Sequence, residues 1–213
     1  MIDSFPASLP PPEPFVRLFR WLEANSLAEK SRYDSQWYAR LDPDIERACI
    51  LVTPVDPRFA AAWCGDESPE LAERMAAFIR TGGDGSYAGL WKDDSGRVSI
   101  VHQGSGSGST LLCEMTDNPI DFLRLLAIGY EELCWEEVFD LTPDEAYRRG
   151  WSEDEQDIPA GPARPVRFQR WVAESFGVAI PRTASEIVQS TAGMDDADSD
   201  DPFWNWIRKV QPQ

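Results

Sequence analysis

The sequence has one histidine, His102, and four widely spaced cysteines, Cys49, Cys64, Cys113 and Cys134, with no C-x-x-C pair among them. A structural zinc site needs a close cluster of such ligands, so the ordinary zinc patterns are excluded. The cysteines also lack the spacing of a disulfide framework, and in a chain of 213 residues they read as reduced core thiols. Basic residues are scarce, 20 Lys and Arg against 37 Asp and Glu, which leaves a formal net charge of -17. A field of that sign repels nucleic acid and anionic membrane surfaces and attracts basic partners. No apolar run approaches the roughly 18 residues of a membrane span. The opening MIDSFPASLPPPEP has neither a basic n-region nor an apolar h-region. The expectation is a cytoplasmic protein that binds neither nucleic acid nor membrane.

What the sequence does have is core. With 42% apolar residues and nine Trp it can bury a sizeable interior, and its length suits one domain. Residues 1–13 read as an irregular, Pro-rich lead-in to a single domain over 14–213. Pro14 suits a first helical position, and Phe15, Leu18, Phe19 and Leu22 form one apolar stripe behind it. Asp42-Pro43 suits the start of a short helix, and residues 49–52 a short buried strand. Ser68-Pro69 reads as a helix start, with Leu71, Met75, Phe78 and Ile79 on one face and Gly82-Gly83 as the stop.

The clearest β signal follows. Residues 87–92, an Asp93-Asp94-Ser95-Gly96 turn and residues 97–102 read as a hairpin, and residues 110–115 as a third strand after the loop GSGSGS (104–109). Strands joined this closely form an antiparallel meander, not a Rossmann-type crossover. Asn118-Pro119-Ile120-Asp121 then caps a helix with Phe122, Leu125, Leu126, Tyr130 and Leu133 on its apolar face. Residues 136–165 turn acidic and then Pro/Gly-rich, as an exposed excursion would. Phe168, Trp171, Val172 and Phe176 form a helix stopped by Gly177, Thr183 opens a shorter one, and Phe203 to Ile207 suit a last short helix docking its aromatics. The predicted class is α+β, a central, largely antiparallel sheet flanked by helices.

Few residues carry a chemical motif. His102 shares a strand face with Val98 and Ile100 and reads as a half-buried residue at a strand end. No G-x-S-x-G elbow supports a triad through it. The loop over 104–109 ends without the Lys of a phosphate-binding loop and leads into a strand, so it reads as a flexible or bulged connection. The run Asp195, Asp196, Asp198, Asp200 and Asp201 lacks the glycine and distal Glu of a calcium loop. Neither a cofactor nor a metal is expected, nor catalysis. Paired carboxylates such as Glu131-Glu132 and Glu136-Glu137 suit either solvated faces or an electrostatic docking surface. Trp91 and Trp171 suit the core; Trp135, Trp151, Trp204 and Trp206 lie beside acidic stretches and suit either core or binding anchors.

The succession FIRTGGDGSYAGLW, VSIVHQGSGSGSTLLCEM, NPIDFLRLLAIGYEELCW, FQRWVAESFGVAIP and DDPFWNWIRK, over roughly residues 70–210, resembles bacterial members of the SUKH superfamily, which also holds the yeast Smi/Knr cell-wall-synthesis regulators. Its most specific part is the meander followed by the segment Asp121 to Leu133. The family's usual L-P-x-x-Y entry segment is missing, so residues 1–67 are expected to be specific to a subgroup. The resemblance implies an α+β domain and, for many bacterial members, an immunity protein that binds and neutralises a cognate toxin, often a nuclease. A basic toxin surface would suit the charge of this chain, with contacts expected at Glu136, Glu137, Glu153, Asp154 and Glu155, and at Asp195, Asp196, Asp198, Asp200, Asp201 and Trp204. The alternative it implies is an intracellular regulator or scaffold. The chain is expected to be a monomer or a weak homo-oligomer.

Overall fold

The sheet of the computed structural model follows chain order throughout, each strand pairing with the next. The described residues are 1–42, 49–65, 69–151, 161 and 163–211. Seven strands pair antiparallel in the order β1 (Ala28–Lys30), β2 (Trp37–Ala39), β3 (Leu51–Val52), β4 (Met75–Arg80), β5 (Tyr87–Lys92), β6 (Val98–Gln103) and β7 (Leu112–Thr116). The protein is thus α+β with a central antiparallel sheet. Around it lie α1 (Glu13–Ala24), α2 (Pro57–Cys64), α3 (Pro69–Ala72), α4 (Pro119–Ile128), α5 (Pro143–Arg149), α6 (Val166–Phe176) and α7 (Pro202–Val210).

Helices cover both faces. On one, Phe78 of β4 meets Phe15 and Phe19 of α1 with ring centroids 5.0 and 6.0 Å apart, and Phe15 meets Phe122 of α4. On the other, Trp91 of β5 meets Phe203 and Trp206 of α7 at 5.3 and 5.6 Å. Tyr87, on the same side as Trp91 by strand alternation, packs on Phe59 of α2 at 4.5 Å. The apolar stripe of α1 is buried as expected, each of its four residues at 0% exposure.

The long helix expected after Pro69 is corrected. Only Pro69–Ala72 is helical; Met75, Phe78 and Ile79 belong to β4. That strand runs between β3 and β5 with five of its six residues buried, so it reads as a continuous apolar run whose spacing happens to match a helix. A bulge between Ala77 and Ile79 shifts its register against β5. There β5 carries Gly89, where a Cβ would lie 2.2 Å from the Ala76 carbonyl oxygen, so a side chain has no room.

The second correction concerns α4. It stops at Ile128 because Gly129 takes φ +91 and reverses the chain; Tyr130 and Leu133 are buried beyond its end. The acidic stretch after it also holds more structure than an exposed excursion: a 3-10 turn over Glu136–Val138 and α5, which opens on a Thr142/Glu145 capping box. The lead-in is irregular apart from a 3-10 turn over Ile2–Ser4, yet it buries Leu9 and sets Phe5 on Phe19 and Phe78. The short helix expected to open at Asp42-Pro43 would run from residue 43 on, outside the described residues. Strands β1 and β2 and helix α2 were not anticipated, whereas α6 ended by left-handed Gly177 and the turn over Ala184–Glu186 with its capping box lie where the sequence puts them. Among the described residues no helix is long and apolar enough to cross a membrane.

Candidate functional site

Reversal at Gly129 sends the chain through Tyr130 to Trp135 and into α5, and the two limbs enclose a pocket of about 430 Å³. Its aromatic walls are Tyr130, Trp135, Tyr147 and Trp151, and its charged lining among the described residues is Glu131 and Glu132. Trp151, just past the end of α5, packs on Tyr147 within that helix with ring centroids 5.9 Å apart. The Tyr130 hydroxyl is fully engaged, donating to the Leu141 carbonyl at 2.5 Å and accepting the Ala184 N–H at 3.0 Å. That ties this wall of the pocket to the turn over Ala184–Glu186.

Glu132 joins the pocket to the sheet. Its Oε1 accepts the Gly83 N–H at 2.7 Å and its Oε2 accepts the Trp135 indole N–H at 2.7 Å, which fixes the indole plane. Partial burial pushes the carboxyl pKa up, but these donors, Gly83 first, outweigh it and hold the group below its ordinary value. Glu132 is therefore a negative charge at neutral pH. Burial and then the Glu132 charge push the thiol of nearby Cys134 up, which keeps it protonated at neutral pH.

The anticipated contact residues divide by burial. Glu136 and Glu137 are exposed on the turn between Trp135 and Val138, both of which line the pocket. Glu153, Asp154 and Glu155 lie outside the described residues. Asp195, Asp196, Asp198 and Asp200 are exposed on the segment leading into α7. Asp196 is partly used by the fold, accepting the Gly193 N–H at 2.7 Å. Asp201 and Trp204 are only 7% exposed each, and both are engaged internally. The Asp201 carboxylate caps α7 through the Trp204 N–H at 2.8 Å and accepts the Glu114 N–H of β7 at 2.9 Å. The Trp204 indole N–H donates to the Asp196 carbonyl at 2.8 Å. Of the four tryptophans beside acidic stretches, Trp135 and Trp151 line the pocket and Trp204 and Trp206 belong to the core. Tyr130, expected on the apolar face of a helix, and Tyr147, which did not stand out in the sequence, complete the pocket. The i, i+4 spacing of Tyr147 and Trp151 was the available signal.

His102 is fully buried, a correction to the half-buried strand end that its position suggested. Its Nδ1 lies 2.9 Å from the Leu111 carbonyl oxygen and its Nε2 2.8 Å from Thr81 Oγ1. A carbonyl can only accept, so Nδ1 carries the proton and Nε2 accepts from the threonine. Burial depresses the imidazole pKa to about 4, against the opposing Leu111 hydrogen bond and Asp84 charge. The loop over residues 104–109 is likewise organised: the Asp84 carboxylate accepts from Ser105 Oγ at 2.8 Å and from the Ser109 N–H at 2.9 Å. Among the described residues no group of three or more His, Cys, Asp or Glu side chains is placed to hold a metal ion.

Comparison with protein-family models, with curated proteins and with solved structures finds no match to this chain.

Proposed function

We propose that this chain is a non-catalytic, immunity-type protein that neutralises a cognate toxin by stoichiometric binding. The carrying observation is the aromatic pocket whose charged lining among the described residues is two carboxylates, flanked by exposed Glu136 and Glu137. Aromatic side chains beside carboxylates suit a binding hot spot: rings supply contact area at small entropic cost, and the carboxylates select and steer the partner. The resemblance to SUKH immunity proteins and the net charge of -17 support the same reading. On it, the partner presents a basic surface, as a nuclease toxin does around its substrate cleft, and an acidic plug fits that surface.

The test is affinity purification of the tagged protein from its own source cells, with the co-purifying chains identified by mass spectrometry. A single basic partner in one-to-one ratio, toxic when expressed alone and harmless when co-expressed with this chain, supports the reading. Several substoichiometric partners, none of them toxic, would replace it with the regulator or scaffold alternative.

A further inference from the structure

We infer that the aromatic pocket between the end of α4 and α5 receives an arginine side chain of the partner. The inference rests on the protein-binding reading and specifies what its central contact recognises. Three features of the pocket define the guest. Its walls are indole and phenol rings, whose faces are electron-rich and attract a cation. Its charged lining among the described residues, Glu131 and Glu132, is wholly negative. The indole of Trp135 is held by its N–H edge on Glu132, so that ring does not have to be ordered when a guest enters.

Other guests fit less well. An anion would face two carboxylates in a partly desolvated site. An apolar side chain would satisfy the rings but leave the negative charge of the lining without a cation in a partly desolvated site. Between the two basic side chains, the planar guanidinium stacks on an aromatic face and still directs N–H groups at a carboxylate in its own plane. It is also more weakly hydrated than an ammonium. A volume of about 430 Å³ accommodates the aliphatic stem as well as the head.

The probes are N-acetyl-arginine amide, N-acetyl-lysine amide and the uncharged isostere N-acetyl-citrulline amide, titrated into the whole protein. Binding is read from the indole N–H resonances of Trp135 and Trp151, assigned with Trp135→Phe and Trp151→Phe. The arginine probe is expected to shift both resonances saturably, citrulline to bind at least about tenfold more weakly, and lysine to fall between them. Trp151→Ala is expected to weaken arginine binding about tenfold. Equal shifts with arginine and citrulline, or none with either, overturn the inference on the unmodified protein, whatever the variants do to folding.

The partner separates this inference from the reading it rests on. Loss of toxin affinity by tenfold or more in Tyr147→Ala and Trp151→Ala supports both together. Unchanged toxin affinity in those variants overturns the arginine pocket while the immunity reading stands. Saturable arginine binding in a protein that captures no toxin overturns the immunity reading while the pocket stands.

Discussion

The Asp84 carboxylate accepts the Ser109 backbone N–H at 2.9 Å and so ties the turn between β4 and β5 to the connection between β6 and β7. It also accepts from the Ser86 N–H and from the hydroxyls of Ser86 and Ser105. One charge thereby orders a loop whose composition alone suggests freedom. Partial burial pushes the Asp84 pKa up, but these donors, with the Ser109 N–H foremost, hold it down at about 2. A carboxylate depressed in the folded state stabilises above its unfolded pKa, near 4, and loses that contribution as pH falls toward 2. Asp84→Ala is therefore expected to remove about 1–2 kcal/mol of stability at pH 7, solvent screening included, and markedly less near pH 2. Denaturant melts across that range check it, and a variant as stable as the parent at pH 7 would contradict it.

His102 controls a different pH window. Its imidazole is buried and neutral, with a pKa near 4 against the ordinary 6.5. The unfolded chain binds a proton in that interval and the folded chain does not, so stability present above pH 6.5 falls as pH drops toward 4. The loss is on the order of 3 kcal/mol for this one group. His102→Gln removes the titration. It is expected to be less stable at pH 7, because the pair of hydrogen bonds to Leu111 and Thr81 is not reproduced, and to show a flatter stability profile between pH 4 and 6.5. A slope equal to that of the parent would assign the acid limb to other groups.

The elements legible in the sequence are those whose signals are local. The β5–β6 hairpin announces itself through Asp93-Asp94-Ser95-Gly96, where Asp93 Oδ1 accepts the N–H groups of Ser95 and Arg97. Helix α4 is announced by Asn118, whose side chain accepts the Ile120 N–H. Strand β4 was illegible because a strand covered on both faces shows no alternation. Strands β1 and β2, three residues each, are too short to show any. The site was half legible for a similar reason. Trp135, Trp151 and Trp204 have the same acidic surroundings in sequence. Only tertiary placement sends Trp204 into the core on a capped helix and leaves the other two lining a pocket.

Asp201 illustrates that distinction in a form that mutation can read. Its two carboxylate oxygens serve two backbone donors, the Trp204 N–H and the Glu114 N–H, at a site where burial raises its own pKa. Asp201→Ala leaves both donors without that acceptor and removes the cap of α7. The expected cost is about 2–3 kcal/mol, seen as a Tm lower by roughly 5–10 °C. Asp201→Asn keeps an acceptor for one donor and should recover part of the loss. On the proposed immunity reading, toxin affinity of the folded fraction should not change in either variant, since the carboxylate faces inward; a specific loss of binding without loss of stability would return Asp201 to the docking surface.

Glu136 and Glu137 should behave in the opposite way. Both are exposed, and the fold uses the Glu137 backbone carbonyl, not its side chain, to hold Arg149. Reversing both to Lys should leave stability within about 0.5 kcal/mol of the parent, as substitutions of unengaged surface groups do. Its effect should fall on encounter with a basic partner. Long-range attraction accelerates association and is screened by salt, so the variant is expected to associate about tenfold more slowly at low salt and to show a weaker salt dependence, with dissociation little changed. Stopped-flow association at two ionic strengths measures this directly. Asp195→Lys with Asp198→Lys is the matched comparison, because those side chains are equally exposed but lie on the segment leading into α7. A larger slowing in that second pair would move the docking face from the aromatic pocket to the α7 side of the sheet.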